Sequence, residues 1–174
     1  MKRHNKGFTF VELVIAVAVV GALSIVAYVA MDSSLGGYRL GNAESHVIGA
    51  LRYAQQQAMT NSDWYGVSFQ VNPVNQYTVY QTDGSTDTAL PDPVNPAATM
   101  VTNVATDFPG VIISSVNIAG GSKVEFSPTG EPFNDRSGSA IVSTGTVTLT
   151  HDAVNRVIDI LPVTGRTESS GGSP

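Results

Sequence analysis

Glu12 is a carboxylate near the start of an almost wholly apolar run between Lys6 and Asp32. An acid in a bilayer-spanning segment costs about 2.5–3.5 kcal/mol on insertion scales, so its presence there calls for a partner that takes its charge. The other groups that could do chemistry are scattered. His4, His46 and His151 lie far apart, and no pair has the spacing of metal ligands. His151-Asp152 invites a catalytic triad, but Ser127, Ser137 and Ser143 lack the context that exposes a nucleophile, and a turn after Thr150 accounts for the pair. Asp83-Gly84-Ser85-Thr86-Asp87 has the composition of a calcium loop without the spacing or closing Glu of an EF-hand, which leaves a solvated loop. Trp64 and the tyrosines are read as packing residues. No catalytic residue, metal ligand or cofactor is expected, and the chemistry reduces to the carboxylate and its surroundings.

Those surroundings have the dimensions of a membrane. Leu13 to Met31 carries no charge and at the helical rise spans roughly 28 Å, which matches a hydrocarbon core. Lys2, Arg3 and Lys6 precede the span and Asp32 follows it, an asymmetry that leaves the first seven residues in the cytoplasm and exports the rest. A cleaved secretory signal shares the basic start but has a core of about 7 to 15 apolar residues ahead of small residues at the cut. Neither that length nor the embedded Glu12 fits it. A plain signal anchor explains length and orientation but not the acid.

The segment Lys6-Gly7-Phe8-Thr9-Phe10-Val11-Glu12-Leu13 closely resembles the class III signal of type IV pilins and type II secretion pseudopilins. In that superfamily a prepilin peptidase cuts on the cytoplasmic side after the glycine and N-methylates the new terminus, and the apolar helix stays on the mature protein. The resemblance implies a cut between Gly7 and Phe8, a methylated Phe8, and Glu12 as the fifth mature residue. It also implies the partner of Glu12. Once the helix leaves the bilayer for a bundle of neighbouring helices, an unpaired carboxylate is costly, and the family pairs it with the amino terminus of an adjacent subunit, here the Phe8 ammonium. Buried pairs often only break even, so such a contact sets register and recruitment more than stability. The implied partners are other pseudopilin or pilin subunits, the prepilin peptidase, an inner-membrane assembly platform and, before assembly, membrane lipid. The implied location is the inner membrane, crossed once, with the head in the periplasm.

Beyond the span, Leu40, Ala43, Val47, Leu51, Ala54 and Ala58 recur at three- and four-residue steps, the stripe of a helix laid on a core. No proline precedes Pro73, and the pattern predicts one helix from about Thr9 to about Asn61, weakened at Gly36-Gly37 and Gly21. From Trp64 the period is two. Val67, Phe69 and Val71, then Asn72-Pro73-Val74-Asn75, then Tyr77, Val79 and Gln81 read as a hairpin. Pro91, Pro93 and Pro96 mark Asp83 to Ala98 as a surface excursion without regular structure. Further strands are predicted at Val111 to Ile118, Lys123 to Phe126, Thr144 to Thr150 and Val157 to Leu161. The expected class is α+β, a pilin fold with a long N-terminal helix packed on a mostly antiparallel sheet. Its divisions are a cleaved leader over 1–7, a transmembrane and filament-core helix over 8–31, an amphipathic continuation over 32–62, a β-rich head over 63–166 and a flexible tail over 167–174.

There are no cysteines, so no disulfide holds the exported head, a departure from many major pilins of the resembled superfamily. Lys and Arg number 9 against 14 Asp and Glu, a net charge of -5, and loss of Lys2, Arg3 and Lys6 with the leader takes it to about -8. An acidic surface argues against nonspecific nucleic-acid binding through phosphate.

Val124-Glu125-Phe126-Ser127-Pro128-Thr129-Gly130, Gly145-Thr146-Val147-Thr148-Leu149-Thr150 and Arg156 through Arg166 resemble the C-terminal part of the GspH/FimT group of minor pseudopilins and minor pilins. Leu51-Arg52-Tyr53-Ala54-Gln55-Gln56-Gln57-Ala58 resembles the segment that closes the first helix in that group. The resemblance implies a structural subunit rather than an enzyme. It leaves two machines open: a minor pseudopilin of type II secretion, or a minor pilin of pilus assembly or DNA uptake. In the latter a C-terminal arginine motif binds DNA, and Arg166 is the candidate, but Glu168 follows where a second cation would sit. A signal-anchored extracytoplasmic enzyme is the remaining alternative, and the scattered titratable groups speak against it.

Overall fold

The computed structural model describes residues 9–171, apart from the side chains of residues 25–34. Its elements are α1 (Phe10–Asn61), β1 (Trp64–Gln70), β2 (Gln76–Thr82), β3 (Asp87–Ala89), β4 (Val101–Asn103), α2 (Val104–Asp107), β5 (Val111–Asn117), β6 (Lys123–Phe126), β7 (Pro132–Phe133), β8 (Gly145–His151), β9 (Val154–Ile160) and β10 (Thr167–Ser169). Two compact units divide the chain, Met1–Gly36 and Gly37–Pro174.

In the first unit Thr9 caps α1. Its hydroxyl accepts from the Glu12 N–H at 3.3 Å and its carbonyl from the Leu13 N–H at 3.2 Å. Thr9 and Glu12 stand at the Ser/Thr-x-x-Glu spacing of a capping box, so the residues that carry the leader pattern also start the helix. Side chains from Thr9 to Ser24 are all exposed, with Phe10 at 79%. A contiguous apolar surface of this kind needs a lipid or protein partner. Among the described residues no helix is long and apolar enough to cross a membrane. The span expected over Leu13–Met31 runs into 25–34, whose side chains lie outside the described residues.

In the second unit the predicted stripe is buried in full, with Ala50 added to it. It meets Tyr65, Val67 and Phe69 of β1, Tyr77 and Val79 of β2, Val124 and Phe126 of β6, Val111 and Ile113 of β5, Val147 and Leu149 of β8, and Ile158 and Ile160 of β9 in one core. Truncating a large member such as Leu51 or Ile158 to alanine costs about 2–5 kcal/mol. α1 ends at Asn61, after which Ser62 takes a left-handed φ of 54° and the Asp63 N–H donates to the Ala58 carbonyl.

The strands form two sheets, every pairing antiparallel: β3-β2-β1-β6-β7 with β4 also on β2, and β10-β9-β8-β5. The fold is therefore α+β, a helix on antiparallel sheet as the sequence predicts, with the strands divided between two sheets. Two expectations are corrected. The excursion over Asp83 to Ala98, expected to lack regular structure, carries β3, and β4 follows it directly; the two pair with opposite ends of β2. Between them the Leu90 N–H donates to the Val79 carbonyl and the Val79 N–H to the Met100 carbonyl. The excursion thus covers an edge of β2 that would otherwise stand open. Its strand pieces of three residues are too short to show alternation. The tail expected to be flexible from Thr167 instead forms β10 against β9, with Thr167 buried, and residues 172–174 lie outside the described residues.

Candidate functional site

The processing pair Gly7 and Phe8 lies outside the described residues. Glu12 stands exposed in the first turn of α1, where a carboxylate complements the helix dipole. Its side chain has no hydrogen-bond partner among the described residues, so it is open to a group from another molecule.

Within the head, α1 presents a polar flank at Glu44, Arg52 and Gln55, of which Arg52 and Gln55 tie down C-terminal segments. Arg52 donates through Nε to Thr167 Oγ1 at 3.2 Å and through Nη2 to the Thr167 carbonyl at 3.1 Å. Gln55 donates its amide to the carbonyls of Gly130 and Thr164, both at 2.8 Å. Gly130 and Gly165 sit at left-handed φ of 84° and 62°. A Cβ on Gly165 would come within 2.7 Å of Gln55 Nε2 and 2.9 Å of the Gly130 carbonyl. Ser127-Pro128-Thr129-Gly130 and Thr164-Gly165-Arg166 are therefore two turns that converge on one glutamine. The spacing of Gln55 from Leu51 and Arg52 was legible, but its two acceptors, 75 and 109 residues away, were not.

A second cluster lies on the outer face of the larger sheet, where Glu125 of β6, Gly66 of β1 and Tyr80 of β2 are register neighbours. Glu125, 1% exposed, accepts from Tyr80 Oη at 2.8 Å, from Lys123 Nζ at 2.9 Å and from the Arg136 backbone N–H. Gly66 is required here, because a Cβ would come within 2.8 Å of the Tyr80 ring that crosses it. Lys123 also pairs with Asp135 at 2.6 Å. Burial by itself would lower Lys123, but the hydrogen bonds it donates to Asp135 and Glu125 hold its ammonium above the ordinary range. Burial, with the Glu125 carboxylate beside it, pushes the Tyr80 phenol far above its ordinary value. Arg136 donates to the Thr82 carbonyl and lies 5.7 Å over the Trp64 ring, which packs edge-on against Phe133 at 5.0 Å. Sequence reading found none of this, since the members come from β1, β2, β6, β7 and the loop after β7, which no local pattern brings together.

The remaining candidates have local roles. Asp83 Oδ1 accepts from the Ser85 N–H, the Ser85 hydroxyl and the Thr86 N–H, and those bonds hold its carboxyl down to about 2. Among the described residues no group of three or more His, Asp or Glu could hold a metal. His151 Nδ1 is 3.2 Å from Asp152, which takes φ 52° in the tight turn joining β8 to β9. Ser127 Oγ bonds Thr129 and the Glu131 N–H within its own turn. His46 Nδ1 meets Tyr77 Oη at 2.8 Å beside an open depression of about 280 Å³ lined by Ser45, Gly49, Ala50 and Met100. Arg166 is 70% exposed and paired with Glu168 at 2.7 Å. Its charge is already matched, and a bidentate phosphate contact would have to break that pair.

A helix packed on antiparallel sheets, with a capped and exposed apolar stretch ahead of it, is the architecture of the pilin class. The chain belongs to the GspH family: the family model for type II transport protein GspH matches residues 45–164. A prokaryotic N-terminal methylation motif matches residues 2–28, which implies a pilin-type N-terminal anchor. The fold is similar to that of the minor pseudopilin EpsH from the type 2 secretion system of Vibrio cholerae, with a TM-score of 0.54 at 11% identity over 76% of this chain and 97% of that one. The type IV minor pilin FimU of Pseudomonas aeruginosa aligns over 75% of this chain and 92% of its own at 12% identity, with a TM-score of 0.49. No curated protein matches the sequence. The family and fold are those of structural pilin and pseudopilin subunits, which associate with other pilin-type subunits.

Proposed function

We propose that this chain is a minor pseudopilin of a type II secretion system, a subunit of a short periplasmic pseudopilus involved in protein export. The observation that carries this reading is the coincidence in one chain of the methylation motif over 2–28 and the GspH match over 45–164. The mature protein begins at a methylated Phe8, is held in the inner membrane by its apolar helix with the head in the periplasm, and meets the prepilin peptidase and the assembly platform there. Glu12 pairs with the Phe8 ammonium of an adjacent subunit. The carboxylate is exposed in the first turn of α1 and the apolar residues around it are uncovered, which suits a group that acquires its partner on assembly. A minor pilin of pilus assembly is the alternative. DNA uptake gains no support from Arg166, whose guanidinium is engaged by Glu168.

Two measurements test the reading. Intact-mass analysis of membrane-extracted protein is expected to show loss of Met1 to Gly7 and gain of one methyl; a start near Ala27 or later would overturn it. Deleting the gene is expected to block release of exoproteins and to leave twitching motility and transformation intact, whereas the opposite pattern assigns the subunit to a pilus. Glu12→Ala is expected to be inserted and processed normally yet to lose crosslinks to other filament subunits.

A further inference from the structure

Glu44 of α1 is 6% exposed, and its carboxylate is incompletely used. Oε2 lies 3.5 Å from Arg156 Nη1, the long limit of a hydrogen bond, while Oε1 is buried with no hydrogen-bond partner among the described residues. Arg156 is itself a third exposed and makes only this one contact with the acid. A carboxylate held out of water with one oxygen idle is a cost without a return in the isolated chain.

What lies beside it suggests the missing donor. Gly41 and Gly37 precede Glu44 by three and seven residues, so helical periodicity puts them on its flank of α1. A Cβ built on either meets nothing within 4 Å. A side chain from another molecule can lie along that bare flank with its tip at Glu44, and a small rotation about the last bond of the carboxylate, which is soft, turns Oε1 toward it. Charge selects the visitor. This chain carries 14 acids against 9 bases, so a second copy approaches with like charge, whereas a more basic subunit is drawn in.

We propose that Glu44 receives the cationic tip of an arginine or lysine from a different, more basic pilin-type subunit lying along the Gly37 and Gly41 flank of α1. The inference rests on the filament-subunit reading above. The incoming guanidinium or ammonium supplies the donor that Oε1 lacks.

The test places a photo-reactive amino acid at Gly41 of the full-length protein in its host membrane. The expected product is an adduct with another pilin-type subunit, trapped at a peptide containing arginine or lysine. Its yield should fall about tenfold or more in Glu44→Gln, which keeps shape and removes charge. The urea midpoint of the detergent-solubilised Glu44→Gln protein should be unchanged or higher, because the idle carboxylate does not stabilise the isolated chain. A lower midpoint would mean that the charge serves Arg156, and the inference would be overturned. An undiminished adduct, an adduct only with a second copy, or labelling of lipid alone would overturn it equally. The same probe at Val17, in the apolar stretch, separates the two levels. Subunit adducts from Val17 but none from Gly41 refute only the Glu44 contact, whereas none from either position refutes the filament reading beneath it.

Discussion

Glu125→Ala removes one acceptor from three donors at once. Tyr80 Oη at 2.8 Å and the Arg136 N–H lose their partner beneath a covered sheet face, while Lys123 at 2.9 Å retains Asp135 at 2.6 Å. A stranded buried donor costs about 1–3 kcal/mol, and breaking a fully buried ion pair about 3–5 kcal/mol. Lys123 is 31% exposed and keeps a second carboxylate, so its share falls toward the surface value of at most about 1 kcal/mol. The expected loss is about 3–4 kcal/mol, carried mainly by Tyr80 and the Arg136 amide. Tyr80→Phe by itself should cost about 1–2 kcal/mol, and in the Glu125→Ala background much less, since the hydroxyl then has no acceptor to lose. The coupling in that double-mutant cycle is expected to be at least about 1 kcal/mol. Urea unfolding of the detergent-solubilised protein can be followed on Trp64, the single tryptophan, whose ring touches Phe133 and carries Arg136 above it. A loss below about 1 kcal/mol for Glu125→Ala, or a coupling near zero, would show that water satisfies these donors.

Arg52→Ala is expected to cost about 1–2 kcal/mol and to speed hydrogen exchange in β10 ahead of β8; Arg52→Lys should not restore protection, because one ammonium cannot reproduce the two-nitrogen grip on Thr167. Stability should fall in acid. Asp135 is held below the ordinary carboxylate range by Lys123 and then Ser137, Asp83 down to about 2 by Ser85 and Thr86, and Asp63 by the Trp64 N–H and then Gln81. A folded-state pKa below the unfolded value near 4 gives stability that is present above that pH and lost as pH falls through the folded value. The urea midpoint is thus expected to hold from pH 7 to about 5 and to drop between about 4 and 2; no drop there would refute the hydrogen-bond assignments. Tyr80, raised by burial and then by Glu125, acts at the other end, with its contribution intact below about pH 10 and lost as pH rises beyond it. DNA binding by the detergent-solubilised protein at low salt should be weak and non-saturating, and Arg166→Ala should leave it unchanged; micromolar binding abolished by that change would favour DNA uptake.

The N-terminal half was legible because its determinants are local. The leader pattern, the cap at Thr9 with Glu12 three residues on, and the stripe from Leu40 to Ala58 each lie within one helix, where periods of three and four fix which residues share a face. The hairpin of β1 and β2 was legible for the same reason, through alternation and a turn. That Glu168 stands after Arg166 where a second cation would sit is likewise a matter of neighbours in sequence. What the tertiary structure decided is whatever joins distant segments. Division into two sheets, the edge role of the proline-marked excursion and the pairing of Thr167–Ser169 with β9 depend on backbone partners that no local pattern names. Gln55 between two glycine turns, Glu125 beneath residue 136, and the idle oxygen of Glu44 are of the same kind. In sequence each is an ordinary polar residue; its energetics are set by which donors and acceptors the completed fold brings within 3 Å, and which it leaves out.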